Sequence, residues 1–104
     1  MSTLQVDTLD VAAISVRVSA LDLAVDLAVD LADGRTITVP VAWFPRLAHG
    51  SEAERANRRL IGRGYGIHWP GLDEDISVES LLAGRRSRES DSSLAAWIRS
   101  RTAS

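Results

Sequence analysis

From Ile14 onward the apolar residues occupy alternate positions: Ile14, Val16 and Val18, separated by Ser15 and Arg17. The parity then changes, and Leu21, Leu23, Val25, Leu27, Val29 and Leu31 follow at every second position. A period of two gives one buried and one solvated face, so the pattern predicts antiparallel strands. The change of parity at Ser19-Ala20 predicts a tight turn or bulge there. Leu23/Leu27/Leu31 and Asp22/Asp26/Asp30 also recur with the i, i+4 spacing of a helix. Apolar residues at consecutive odd positions would nevertheless scatter around a helix, and the strand reading is favoured. Leu-Ala-Val-Asp occurs at 23–26 and again at 27–30. An even insertion lengthens a strand without exchanging its faces. The strand Leu21–Leu31 is therefore expected to exceed its partner at 35–41 and to overhang, bend or pair elsewhere.

Asp33-Gly34 and the β-rich run Thr36-Ile37-Thr38-Val39 come next, as in a hairpin. A two-residue loop at Asp33-Gly34 would set Ile37 against Asp30 and mix the faces. A three-residue loop, Ala32-Asp33-Gly34, sets Ile37 against Val29, Val39 against Leu27 and Val41 against Val25. Gly34 then takes the left-handed position of a G1 bulge. Trp43-Phe44-Pro45-Arg46-Leu47 reads as an aromatic corner, since Pro45 excludes a central strand. Ser51-Glu52-Ala53-Glu54 is a capping box and predicts a helix from about Glu52 to Leu60, stopped by Gly62 and Gly64. Tyr65 to Trp69 reads as a strand closed by Pro70-Gly71. Ser77 or Asp75 caps a short helix through Leu82 that ends at Gly84. The Arg- and Ser-rich stretch 85–93 reads as a linker, and Leu94, Trp97 and Ile98 have the spacing of a terminal amphipathic helix. The fold class expected is α+β: a small antiparallel β-sheet, a meander plus a further strand, with two or three short helices. Residues 1–84 form its single domain, and 85–104 the linker and terminal helix.

Composition narrows the function. The 104 residues suffice for one domain that buries roughly two thirds of its unfolded surface. Cysteine is absent, which removes disulfides, thiolate catalysis and cysteine-ligated zinc. Met1 to Ala13 carries Asp7 and Asp10 with no positive charge ahead of its apolar residues, unlike a secretory signal. Leu21–Leu31 is interrupted by Asp22, Asp26 and Asp30, unlike a membrane helix. The expected location is the cytoplasm, away from the membrane. Charge alternates along the chain: −5 over residues 1–34, +4 over 35–63, −4 over 64–84 and +3 over 85–104. That is not the broad basic face of a nucleic-acid binder, so direct nucleic-acid binding is not expected. All twelve basic residues are Arg, which reflects a G+C-rich coding sequence or selection for bidentate and stacked contacts.

The block Asp33-Gly34-Arg35-Thr36-Ile37 through Pro40-Val41-Ala42-Trp43-Phe44-Pro45-Arg46-Leu47 carries a family resemblance. So do Glu54-Arg55-Ala56-Asn57, Gly66-Ile67-His68-Trp69-Pro70 and the run from Leu72 to Leu82. Over about residues 12–84 the chain resembles the bacterial family of domains of unknown function numbered 2442 (DUF2442). The second Leu-Ala-Val-Asp unit departs from the family pattern. The resemblance implies a β-meander, a short helix, a further strand and a following helix. Members of the family stand alone or precede helix-turn-helix domains, and some are encoded beside small toxin-like proteins, which implies antitoxins. No catalytic residues are assigned in the family, so none is implied here. The stretch after Gly84 is too short for a helix-turn-helix domain, so DNA binding by fusion is not expected.

Candidate chemistry is sparse. His68 with Asp73, Glu74 and Asp75 offers ligands for a hard metal or acid–base partners, but carboxylates ahead of a helix are more simply caps and dipole partners. Arg55, Arg58, Arg59 and Arg63 line one side of the second helix and its exit, where they would meet phosphates, pair with Asp73–Asp75 or face solvent. Gly62, Gly64 and Gly66 lack the strand–helix context of a phosphate loop and read as turn residues. Ser51 lacks nucleophile partners and reads as a cap. Trp43, Phe44, Tyr65 and Trp69 read as a packed corner under the sheet. Where partly exposed they would instead anchor an interface with Arg46, because Trp, Tyr and Arg dominate hot spots. The reading is a non-enzymatic protein-interaction module without catalytic residues, cofactor or metal. Its candidate partner-binding residues are Trp43, Phe44, Arg46, Trp97 and Ile98, and its partner is a toxin or a second copy of the chain. The alternative is a small-ligand or metal-binding domain around Tyr65, His68 and Asp73–Asp75.

Overall fold

A computed structural model describes residues 11–21 and 24–102. β1 (Ala13–Leu21), β2 (Ala24–Leu31) and β3 (Thr36–Pro40) form one antiparallel sheet in that order. α1 (Pro45–His49) and α2 (Glu52–Ala56) follow, then a second antiparallel sheet of β4 (Arg59–Ile61), β5 (Gly66–Trp69) and β6 (Glu74–Ser77). α3 (Val78–Leu82) and α4 (Asp91–Thr102) complete the chain. The class is α+β, as the alternation and caps predict, but with two small sheets in place of one.

Val16 pairs with Val29 and Val18 with Leu27, an even residue of one strand against an odd residue of the next. The parity change therefore marks a hairpin, but not where the pattern places it. β1 continues past Ser19-Ala20 to Leu21, and the connection falls on residues 22 and 23, outside the described residues. The predicted strand start at Leu21 is corrected to Ala24. The repeated tetrad falls partly on residue 23, also outside the described residues; from Ala24 onward it lies in β2, whose surplus over β3 pairs with β1. Ile14 does not share the apolar face of Val16. A bulge between Ala13 and Ser15 turns it out to 64% exposure and puts Ala13 in the core instead.

The second hairpin has the predicted register, with Val29 opposite Ile37 and Leu27 opposite Val39. Val41 lies beyond the end of β3 in a 3₁₀ turn, so the predicted Val25–Val41 pair does not form. Gly34 closes the loop at φ +94°, its N–H on the Leu31 carbonyl. On the outer face, Asp30 accepts hydrogen bonds from Ser15, Arg17 and Thr36. The Arg17 guanidinium holds its carboxyl well below the usual range.

Ser51 caps α2 as predicted: its hydroxyl accepts the Glu54 N–H at 3.1 Å, and the Glu54 carboxylate accepts the Ser51 N–H at 2.9 Å. The helix does not reach Leu60. It ends at Ala56, because Arg59–Ile61 pair with β5, and the Arg58 guanidinium donates to the Val16 carbonyl on the edge of β1. Arg55 likewise donates to the Leu47 carbonyl at 3.2 Å. These two arginines thus serve backbone groups, not the acids at 73–75. Gly64, at φ +88°, lies so close to β1 that a Cβ there would stand 2.6 Å from the Ala13 carbonyl oxygen.

One core joins the two sheets: Leu27, Val29, Leu31 and Val39 from the first, Ile67, Trp69 and Ile76 from the second, with Phe44, Leu47, Leu72, Val78 and Leu81 between. Trp69 is fully buried, and its indole N–H donates to the Arg55 carbonyl at 3.1 Å, as a buried indole requires. Of the predicted aromatic corner, Trp69 and Phe44 are buried and Trp43 half-buried, while Tyr65 is 45% exposed. No helix among the described residues is long and apolar enough to cross a membrane.

Candidate functional site: the outer edge of β6

The acids before α3 are not its caps. Asp73 sits in a left-handed turn, Glu74 and Asp75 begin β6, and Ser77 alone caps α3 by accepting the Ser80 N–H at 3.1 Å. The reason is pairing: Trp69 stands opposite Glu74 and His68 opposite Asp75 across β5. The Val78 N–H donates to the Tyr65 carbonyl at 3.0 Å, which fixes the phase of this ladder. In that phase Glu74 and Ile76 exchange hydrogen bonds with β5, whereas Asp75 and Ser77 turn their backbone groups outward. The Asp75 N–H is met there by the Glu74 carboxylate at 3.1 Å.

A groove of about 410 Å3 runs along this edge, bounded by Phe44 and by the strap Arg85-Arg86-Ser87-Arg88. A second hollow, sharing Glu74, Asp75 and Ser87, extends it to Arg46, Asp73 and Glu89. The strap is fixed along its length. The Arg85 N–H donates to the Ser80 carbonyl at 2.9 Å and the Ser87 N–H to the Trp43 carbonyl at 3.0 Å. The Arg86 guanidinium lies 4.7 Å from the centre of the Trp43 ring.

Beyond the strap, Arg46 grips Glu89 with Nε at 2.8 Å and Nη2 at 2.6 Å, while its Nη1 donates to the Asp73 carbonyl at 2.9 Å. The Arg46 guanidinium pulls the Glu89 carboxyl below its ordinary range, and burial pushes Glu74 up. Trp97, on α4, is flanked by two guanidiniums, Arg46 at 5.0 Å and Arg101 at 4.6 Å. Arg101 also donates to Glu54 at 2.7 Å and to the Gly71 carbonyl at 3.1 Å. It draws Glu54 down to about 2. The terminal helix therefore docks on its own domain.

The five residues named from the sequence lie in two groups. Arg46 and Trp97 stack on one another in the seat of α4, with Ile98 half-buried on that helix, while Trp43 and Phe44 adjoin the groove. Phe44 is buried and offers little to a partner. The residues of the alternative ligand site separate: His68 Nδ1 contacts Asp75, Asp73 turns to Arg46, and Tyr65 faces solvent. Among the described residues no three His, Asp or Glu side chains converge as metal ligands. Sequence reasoning missed Glu89 and the arginines of the strap. Their stretch carries no apolar period, and Glu89 stands 43 positions from Arg46.

Comparison with known proteins agrees with the fold. A family model described as "Protein of unknown function (DUF2442)" matches residues 15–87. A crystal structure of a protein of unknown function from Rhodospirillum rubrum ATCC 11170 is similar at 30% identity with a TM-score of 0.65; the match covers 77% of this chain and 94% of that one. No match was found among the curated proteins. The family match stops within the strap, short of α4.

Proposed function

The chain belongs to the DUF2442 family, and we propose that it is a non-enzymatic binding module that takes an extended segment of another protein along the outer edge of β6. One observation carries this reading: the backbone of Asp75 and Ser77 turns away from β5 along a groove of about 410 Å3, walled on its far side by the strap. An added strand gains main-chain hydrogen bonds from such an edge and side-chain selectivity from the walls. Arg86 over Trp43 and Arg46 on Glu89 fix the far wall before a partner arrives, which lowers the ordering cost of binding. The biological role that goes with this is that of a cytoplasmic antitoxin, which silences a toxin-like protein by holding one of its segments.

The test uses the full chain and acetylated, amidated octapeptides that alternate Val with Glu, Gln, Thr or Lys. Calorimetry compares each with a version N-methylated on alternate residues. Strand addition predicts that at least one peptide binds and that N-methylation on one parity abolishes binding. Binding indifferent to N-methylation on both parities, or no binding by any peptide at millimolar concentration, overturns the reading. A zinc or manganese titration giving a stoichiometric site lost in His68→Ala would favour the ligand-binding alternative.

A further inference from the structure

We propose that the segment taken along β6 is acidic and that Arg85 and Arg88 hold its carboxylates; this rests on the strand-addition reading. Other arginines near this face are engaged. Arg46 holds Glu89 and Asp73, Arg101 holds Glu54, and Arg86 is stacked on Trp43. Arg85 and Arg88 both line the groove and are exposed, and among the described residues neither side chain has an ion pair or hydrogen bond. They are anchored by their backbone: the Arg85 N–H is held by Ser80, and Arg88 lies between Ser87, tied to Trp43, and Glu89, tied to Arg46.

The acids on the opposite wall have partners on their own sheet and do not reach the two arginines. Glu74 is turned onto the Asp75 N–H, and Asp75 contacts the His68 ring. What the groove leaves for a ligand is two guanidinium forks, each shaped to take a carboxylate through two parallel N–H···O bonds. The adjoining edge turns the Asp75 carbonyl and the Ser77 N–H outward, the pair of groups that a neighbouring strand would meet. A nucleic-acid strand would satisfy the forks but has no peptide N–H and C=O groups to pair with the outward edge of β6. The groove therefore fits an acidic peptide better than a single-stranded oligonucleotide.

The test compares the Val/Glu octapeptide with its Val/Gln and Val/Lys counterparts, and with an oligothymidylate of ten nucleotides, on the wild type and on R85E/R88E. The Val/Glu peptide should bind wild type about tenfold or more tighter than Val/Gln, and should weaken as salt rises. R85E/R88E should lose that preference and gain affinity for the Val/Lys peptide. Both substitutions lie at exposed positions without side-chain partners among the described residues, and an unchanged circular dichroism spectrum verifies the fold. Equal binding of the Glu and Gln peptides overturns this inference while leaving strand addition standing. So does a preference that survives R85E/R88E, or tighter binding of the oligothymidylate. If no octapeptide binds at all, the strand-addition reading itself has failed.

Discussion

The Arg46 guanidinium grips the Glu89 carboxylate at 2.6 Å while lying 5.0 Å from the centre of the Trp97 ring. One side chain from α1 thus fixes both the strap and the helix that follows it. Both members of the ion pair are largely shielded, at 18% and 10% side-chain exposure. Removing one partner of a shielded pair strands the other, so Arg46→Ala should destabilise by about 2–4 kcal/mol in urea unfolding. Arg46→Lys keeps the charge but loses the fork and should fall between. Wild-type stability in Arg46→Ala would show that Glu89 and Trp97 hold the strap without it.

Two of the left-handed glycines, Gly34 and Gly64, separate conformational strain from contact. A Cβ at Gly34 meets nothing within 4 Å, whereas one at Gly64 stands 2.6 Å from the Ala13 carbonyl oxygen. Gly34→Ala should cost about 1 kcal/mol from the backbone alone. Gly64→Ala adds a clash with β1 and should cost clearly more. Equal melting temperatures for the two variants would refute the close approach of Gly64 to β1.

Ser51 and Glu54 satisfy one another's amides at the start of α2. Ser51→Ala should cost about 1 kcal/mol in thermal or urea melts. No change would mean that solvent replaces the cap without loss.

Acid should loosen the seat of α4. Arg101, then the Ser51 amide, draw Glu54 down to about 2 from 4.5, and Arg46 lowers Glu89. A carboxyl depressed on folding contributes stability that is fully present above its unfolded pKa and lost as pH falls through its folded pKa. The urea midpoint should therefore hold steady above pH 5 and decline between about pH 4.5 and 2. Glu54→Gln should make that decline shallower. An identical acid slope in Glu54→Gln would remove the Arg101 pair from the account.

How much of this was legible in the sequence depends on how local each cause is. The β2–β3 hairpin was readable because apolar register and a single glycine settle it within a dozen residues. β4 and β6 were not. Arg59–Ile61 continues the composition of α2 and becomes a strand only through β5, while Glu74–Ser77 resembles the acidic lead-in to a helix. Tertiary pairing overrode local propensity in both. The bulge at Ile14 likewise follows from the position of Ala13 in the core, which alternation alone does not reveal. In the candidate site, Trp43, Arg46 and Trp97 stood out as aromatic and arginine anchors. Their use within the chain, gripping Glu89 and seating α4, depends on residues far apart in sequence.

The central claim is that β6 is a docking edge, and amide hydrogen exchange at Ser77 tests it most directly. With the tightest-binding of the Val-alternating octapeptides present, the account predicts that exchange at Ser77 slows roughly tenfold or more. Val16 and Val18, on the far sheet, should keep their rates. Unchanged exchange at Ser77 with the peptide bound, or new protection confined to β1, would contradict it.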